Sequence, residues 1–367
     1  MNIVLQLILA LCLSLHYAIA ATDKVACYYE SWAESYFAPE DIDVSICTHV
    51  NYAFLGINED GSFRLDGGDD ILKRLSALKS RNSNLKLLIS VGGWSEGSTT
   101  FSDVAADAGK KTNMAYSTLY YMQTYNFDGI DIDWEYPGQR GGTPADKENF
   151  IDMLWVIRNL LDENGGGLIT VAVSSDPDGN SYNVNAISKV VDAINVMTYD
   201  FHGASAGGKT GQNSPLYASS SDSDWERDHA NCDSSINNWL NSGADPTKLI
   251  LGLGFYGHTF ELADPNQHTV GAPVSGVGMN DGYIGYSEIC KLNDGWTEAW
   301  DDEQQVPYRY AGNQWIGYDN PRSIGLKVQY AKSRNLGGVM MWAIDNDDKD
   351  GACGGRNPLL QAIKDNL

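Results

Sequence analysis

Residues 127–137 read Phe-Asp-Gly-Ile-Asp-Ile-Asp-Trp-Glu-Tyr-Pro, and from Ile130 to Glu135 a bulky apolar residue alternates with a carboxylate. A repeat of two is the repeat of a β-strand, so Asp131, Asp133 and Glu135 share one face and Ile130, Ile132 and Trp134 the other. A surface strand has no use for Ile and Trp there, and a core strand does not tolerate three charges unless they act together. Same-face neighbours on a strand sit roughly 7 Å apart at the backbone. In a half-buried pocket such acids cannot all ionise, and at least one is expected to hold a proton near neutral pH. A protonated carboxyl beside an ionised one is the requirement of glycosidic bond cleavage. The rival reading, an EF-hand calcium loop counted from Asp131, needs Gly at its sixth position, where Tyr136 stands.

The rest of the chain supplies companions for this strand. Apolar runs at residues 24–32, 46–57, 86–94, 168–175, 194–201, 249–260 and 338–344 read as seven further strands. Helical patterns fall between most of them, at 70–81, 110–125, 147–163 and 324–334, and a last helix is expected at 358–367. Eight strands alternating with helices is the sequence shape of an α/β fold of the (β/α)8, or TIM barrel, type. The gap between the last two strands exceeds an ordinary crossover, and residues 261–322, rich in Gly, Tyr and Trp, read as a small α+β insertion between strand seven and helix seven.

Active sites in such barrels lie at the carboxyl ends of the strands. Strand four delivers Asp133 and Glu135 there, and strand three delivers Ser90, Gly92 and Trp94, whose small members leave room beside the acids. Strand six ends Met197-Thr-Tyr-Asp200, strand seven carries Phe255-Tyr256-Gly257, and strand eight holds Trp342. Trp32, Trp94 and Trp342, on three strands but at one end, are expected to line one groove, where flat side chains suit the apolar faces of sugar rings.

The strand-four run resembles the DxxDxDxE signature of the family 18 glycoside hydrolases, the chitinases, matched at Asp128, Asp131, Asp133 and Glu135 and flanked by Phe127, Gly129, Trp134, Tyr136 and Pro137. Met197-Thr-Tyr-Asp200 is similar to that family's Met-x-Tyr-Asp motif, and the resemblance extends over nearly the whole chain after residue 20. It implies a cofactor-free enzyme, with no metal, that cleaves β-1,4-linked N-acetylglucosamine with retention and endo-type action. In that family the 2-acetamido oxygen of the sugar is itself the nucleophile. The resemblance gives Glu135 the role of general acid and base. Asp133 orients the acetamido group, Asp131 shares a proton with Asp133, and Tyr199 bonds the acetamido oxygen. Asp200 and Tyr256 hold the sugar at the cleavage point, Trp342 forms its floor, Trp94 lies on the leaving-group side, and Trp32 lies further out. Tyr136 and Met197 are expected to contact substrate as well. The insertion becomes one wall of the cleft. Two neighbouring functions share the fold: a non-hydrolytic chitin-binding lectin, which lacks the acid at the position of Glu135, and an endo-β-N-acetylglucosaminidase, which has a shorter cleft. One departure stands out: His258 follows Tyr256-Gly257 where many animal members have Arg, a fixed fork of donors that His cannot imitate.

Bulk properties fit. Residues 1–20 hold an apolar run closed by Ala18-Ile19-Ala20 and read as a signal peptide, which makes the protein secreted and extracellular. A net charge of −23 argues against nucleic acid and anionic membranes as partners, and a monomer that takes chitin and chito-oligosaccharides is expected. No Asn-x-Ser/Thr sequon is present. Outside the leader stand Cys27, Cys47, Cys232, Cys290 and Cys353, an odd number in an oxidising compartment. The resemblance implies the pairs Cys27–Cys47 and Cys290–Cys353, the first worth roughly 3 kcal/mol. Cys232 is left over, either buried and free or reactive. Residues 345–351, Asp-Asn-Asp-Asp-Lys-Asp-Gly, give no EF-hand register with Glu at the twelfth position and read as a solvated acidic loop.

Overall fold

A computed structural model describes residues 22–177, 180–204 and 208–367; the leader read at residues 1–20 lies outside them. Eight strands, β1 (Lys24–Glu30), β2 (His49–Ile57), β3 (Lys86–Gly92), β4 (Gly129–Asp133), β5 (Leu168–Ser174), β6 (Ala193–Met197), β7 (Leu249–Gly254) and β8 (Gly338–Trp342), pair in parallel, each with the next. β8 pairs with β1 and closes the cylinder. This is the (β/α)8 barrel that the periodicity predicts.

The helices are set by local signals. Asp107 caps the helix Ala108–Tyr125 by accepting the Lys110 N–H, and Asn126, in the left-handed region at φ 58°, ends it. Asn320 caps the helix Pro321–Ser333, whose first position is Pro. The stretch expected as one helix over 70–81 is an α-helix only for Asp70–Ala77 and then tightens to a 3-10 turn, Leu78–Ser80. Outward-facing barrel residues bury against these helices. Trp134, one of the largest fully buried side chains, stacks on Phe101 with centroids 5.1 Å apart and meets Phe150 edge-on at 5.5 Å, while its indole N–H donates to Ser98 Oγ at 3.0 Å. The apolar half of the alternating stretch is therefore core.

The run 249–260, read as a single strand, is two. β7 stops at Gly254, and Tyr256–Leu262 belongs to a second, antiparallel sheet. Apolar sequence runs unbroken through the junction because Phe255 is buried too. The insertion thus begins at Tyr256, ahead of the expected residue 261. Its other strands are Val274–Val277, Tyr283–Gly285, Thr297–Asp301, Val306–Ala311 and Gln314–Gly317.

The acidic segment is the clearest correction: Asp345, Asp347 and Asp348 are buried, not solvated. Asp347 accepts the Leu359 and Leu360 N–H groups at 3.3 and 2.9 Å, at the start of the final helix Pro358–Asn366, and Asp348 accepts the Cys353 N–H at 2.7 Å. Amides at a helix N-terminus replace water around these charges. Burial still raises Asp347 to about 6.

Both disulfides, Cys27–Cys47 and Cys290–Cys353, form. Cys232 is free and buried, and burial raises its thiol, which makes it unreactive. Among the described residues no helix is long and apolar enough to cross a membrane.

Candidate active site

Asp131 lies deep in the barrel. Its register neighbours across the ladder are Ser90 on β3 and Thr170 on β5. It accepts four hydrogen bonds: from Tyr28 Oη at 2.8 Å and Ser90 Oγ at 2.7 Å on Oδ2, and from Thr170 Oγ1 at 2.5 Å and Asn195 Nδ2 at 3.2 Å on Oδ1. Burial raises its carboxyl while these donors pull it back down. Asp133, one pleat higher, is held well above the usual carboxylate range, first by burial and then by the negative charges of Glu135 and Asp131. Its Oδ1 is buried with no hydrogen-bond partner among the described residues. A group with four donors ionises before one whose buried oxygen has none. The four donors therefore favour the charged form at Asp131, and of the two acids Asp133 is the one that holds a proton more readily.

Glu135 lies past the end of β4, still on the barrel side of the alternation. Burial raises it to about 7, opposed by a hydrogen bond from Tyr136 and by the positive charge of Arg140. Tyr136 is therefore a partner of Glu135 and not one of the cleft-lining side chains. Gly92 keeps the end of β3 close by. At φ 111°, a Cβ there would collide with the Asp133 carbonyl and the Phe101 ring.

Above the acids opens a cleft of about 690 Å³, lined by Trp32, Trp94, Asp133, Glu135, Met197, Tyr199, Asp200, Tyr256 and Trp342 together with Phe54, Arg64, Glu96 and Tyr283. The three tryptophans thus share one groove, as their strand-end positions predict. Trp32 and Trp94 are 56% and 61% exposed, as plates open to a ligand must be. Trp342 stacks on Phe54 at 5.5 Å and 16°. Arg140 lies 3.6 Å over the Trp94 ring and donates to the carbonyls of Trp94 and Glu135, both at 2.9 Å. Asp200 Oδ1 accepts from Tyr256 Oη at 2.6 Å and faces His258 Nε2 at 2.7 Å. His258 Nδ1 lies 3.0 Å from the Gly282 carbonyl, so both ring nitrogens face acceptors. Asp128, the first acid of the signature, is at the opposite end of β4. It accepts the Leu87 N–H at 2.8 Å and pairs with Lys79 at 2.7 Å, which ties β3 to β4 and places it outside the site.

Sequence reading missed the partners of Asp131. Thr170 and Asn195 had a signal, being polar residues at inward positions of otherwise apolar strands; Tyr28 looked like one more buried aromatic. Arg140 sits on a connection, where periodicity says nothing; Phe54 lies within β2, and Tyr283 opens a short strand of the inserted sheet.

Residues 24–347 match the family model of the Glycosyl hydrolases family 18. Chitotriosidase-1 of Mus musculus is 36% identical over 367 residues, covering 94% of this chain and 78% of that protein. The Group IV chitinase of Ostrinia furnacalis, solved in complex with allosamidin, matches with a TM-score of 0.88 at 40% identity, covering 94% of this chain and 98% of that one. Human YKL-39, a pseudo-chitinase with retained chitooligosaccharide binding properties, matches with a TM-score of 0.88 at 32% identity, covering 94% and 99%. Architecture, alternating acids and sequence relatives agree, and the chain belongs to family 18 of the glycosyl hydrolases.

Proposed function

We propose that the protein is a secreted chitinase that hydrolyses β-1,4-linked N-acetylglucosamine polymers and oligomers with retention of configuration. The observation that carries this reading is the stacked acid set: Glu135, raised to about 7, opens on the cleft above Asp133, whose buried Oδ1 has no partner among the described residues. Glu135 donates its proton to the glycosidic oxygen while the acetamido oxygen attacks the anomeric carbon and the leaving sugar departs. Asp133 Oδ1 accepts the acetamido N–H, and the charge of Asp131 beneath favours the positive oxazolinium that forms. Glu135 then takes a proton from water as the water opens that ring, which returns the acid to its starting state. Tyr199 and Asp200 reach the same sugar, and Trp342 supplies its floor. Three tryptophans along an open cleft suit an extended chain better than a single branched end.

Secretion is supported by the apolar run at residues 1–20 and by two disulfides, which form in oxidising compartments. Turnover of a chromogenic chito-oligosaccharide by the wild type and by Glu135→Gln tests the reading. The variant is expected to lose about a thousandfold in kcat while still binding oligosaccharide. Equal rates in both would refute the role of Glu135, and a folded wild type that binds the oligosaccharide without cleaving it would refute the enzyme in favour of a lectin.

A further inference from the structure

Tyr199 and Asp200 follow β6, whereas Tyr256 opens the second sheet, and the ladder between β6 and β7 has already ended at Val196–Leu251. No strand pairing therefore holds these side chains in register. Asn213 does so instead. It is fully buried. Its Oδ1 accepts the Asp200 N–H at 2.9 Å, its Nδ2 donates to the Tyr256 carbonyl at 3.0 Å, and its own carbonyl accepts the Phe201 N–H at 3.1 Å. Asp200 needs such support, because it lies at φ 60°, in the left-handed region that non-glycine residues seldom occupy unheld.

The next residue anchors this bridge. Ser214 Oγ donates to the Thr198 carbonyl at 2.6 Å and accepts from Lys327 Nζ at 2.7 Å. Lys327 pairs with Asp319 at 2.6 Å, both side chains wholly buried, and Ser323 Oγ donates to Asp319 at 2.7 Å. A buried ion pair contributes little net stability, since desolvation offsets its attraction, and its better-attested role is to fix one arrangement among several. This pair sits where the chain leaves the second sheet after Gly317 and enters the helix Pro321–Ser333, so it locks that sheet to the end of β6.

We propose that Asn213 is a positioning residue that aims Tyr199, Asp200 and Tyr256 at the sugar, with Ser214, Lys327 and Asp319 as its anchor. The inference rests on the chitinase reading above. The full chain is tested as wild type, Asn213→Ala and Ser214→Ala, with a chromogenic chitobioside for turnover and with allosamidin titrated by calorimetry. Allosamidin stoichiometry counts competent sites, so impaired folding appears as lost sites and impaired positioning as weaker binding and slower turnover per site. Asn213→Ala is expected to lower kcat/KM per site about 100-fold, as misplaced reacting groups do. It is also expected to weaken allosamidin about tenfold with full stoichiometry, and Ser214→Ala to follow with about a tenfold loss in kcat/KM. If Asn213→Ala does not fold, Ser214→Ala decides alone. A kcat/KM per site within about threefold of wild type in the folded variants overturns the proposal. Failure of both variants to fold also overturns it and assigns the residues to stability. A wild type that binds allosamidin but cleaves nothing sinks the chitinase reading instead, and the allosamidin affinities then decide the positioning role.

Discussion

The hydroxyl of Tyr28 donates to Oδ2 of Asp131 at 2.8 Å, joining β1 to β4 beneath the cleft. Three more donors complete the shell, and all of them favour the charged form of a carboxyl buried where charge is otherwise costly. Thr170→Val removes one donor with little change of shape. The Asp131 carboxyl should then hold its proton more readily, so that ionised Asp131 is lost at a higher pH than in the wild type. The acid limb of the pH profile of kcat/KM is expected to move up accordingly, with the alkaline limb unchanged. An unmoved acid limb would assign the ionised role to another group.

Glu135 makes a prediction about stability as well as rate. Its folded value of about 7 lies above the ordinary 4.5, so between these pH values the folded protein binds more protons than the unfolded one. Stability from this group therefore falls as pH rises from 4.5 through 7. Glu135→Gln removes the titration. Its unfolding midpoint should exceed that of the wild type at pH 8, by up to about 3 kcal/mol in stability, and the gain should vanish near pH 4.5. A gain of equal size at both pH values would contradict the assignment.

His258 is expected to behave as a pH-limited cation beside Asp200. Burial alone would lower its pKa, but the hydrogen bond and charge of Asp200 overcome burial and raise it above 6.5. A raised histidine contributes stability that is fully present below pH 6.5 and is lost as pH rises through the folded value. A double-mutant cycle of His258→Gln and Asp200→Asn, read by thermal unfolding, should show favourable coupling at about pH 5.5 and close to none at about pH 9. Coupling that grows with pH would mean that the imidazole is neutral in this contact.

How far the sequence could be read depended on whether a residue's surroundings were local. The alternation from Ile130 to Glu135 announces its own strand and its two faces, because both follow from spacing within one element. The strand-end tryptophans could be placed in one groove because barrel topology puts every strand end on one face. The break at Phe255 was not legible, since a strand that changes sheets keeps the same apolar pattern when both sheets bury it. The acids at 345–348 misled for the complementary reason. Their partners are amides of the final helix and an aromatic at Tyr36, which donates to Asp345 at 3.2 Å, and neither can be anticipated from a run of Asp. Asn213 shows the same limit: everything it holds lies elsewhere in the sequence.

Arg140 supplies the last test, because it acts on Glu135 and Trp94 together. Its guanidinium covers the Trp94 ring at 3.6 Å and donates to the Glu135 carbonyl at 2.9 Å, while its charge favours ionised Glu135. Arg140→Met keeps an apolar cover over the indole but removes the charge. Without it Glu135 should hold its proton to a higher pH, so the alkaline limb of kcat/KM is expected to move up from about 7 by several tenths of a unit. The acid limb, set by groups beneath the cleft, should stay in place. Trp94 keeps its position in the groove, so KM for short oligosaccharides should change by only about threefold, near the lower range of a cation–π contact. The pH profile and KM, measured on one substrate, separate the two roles. A downward shift of the alkaline limb would show that Arg140 fixes the geometry of Glu135 more than it tunes its proton.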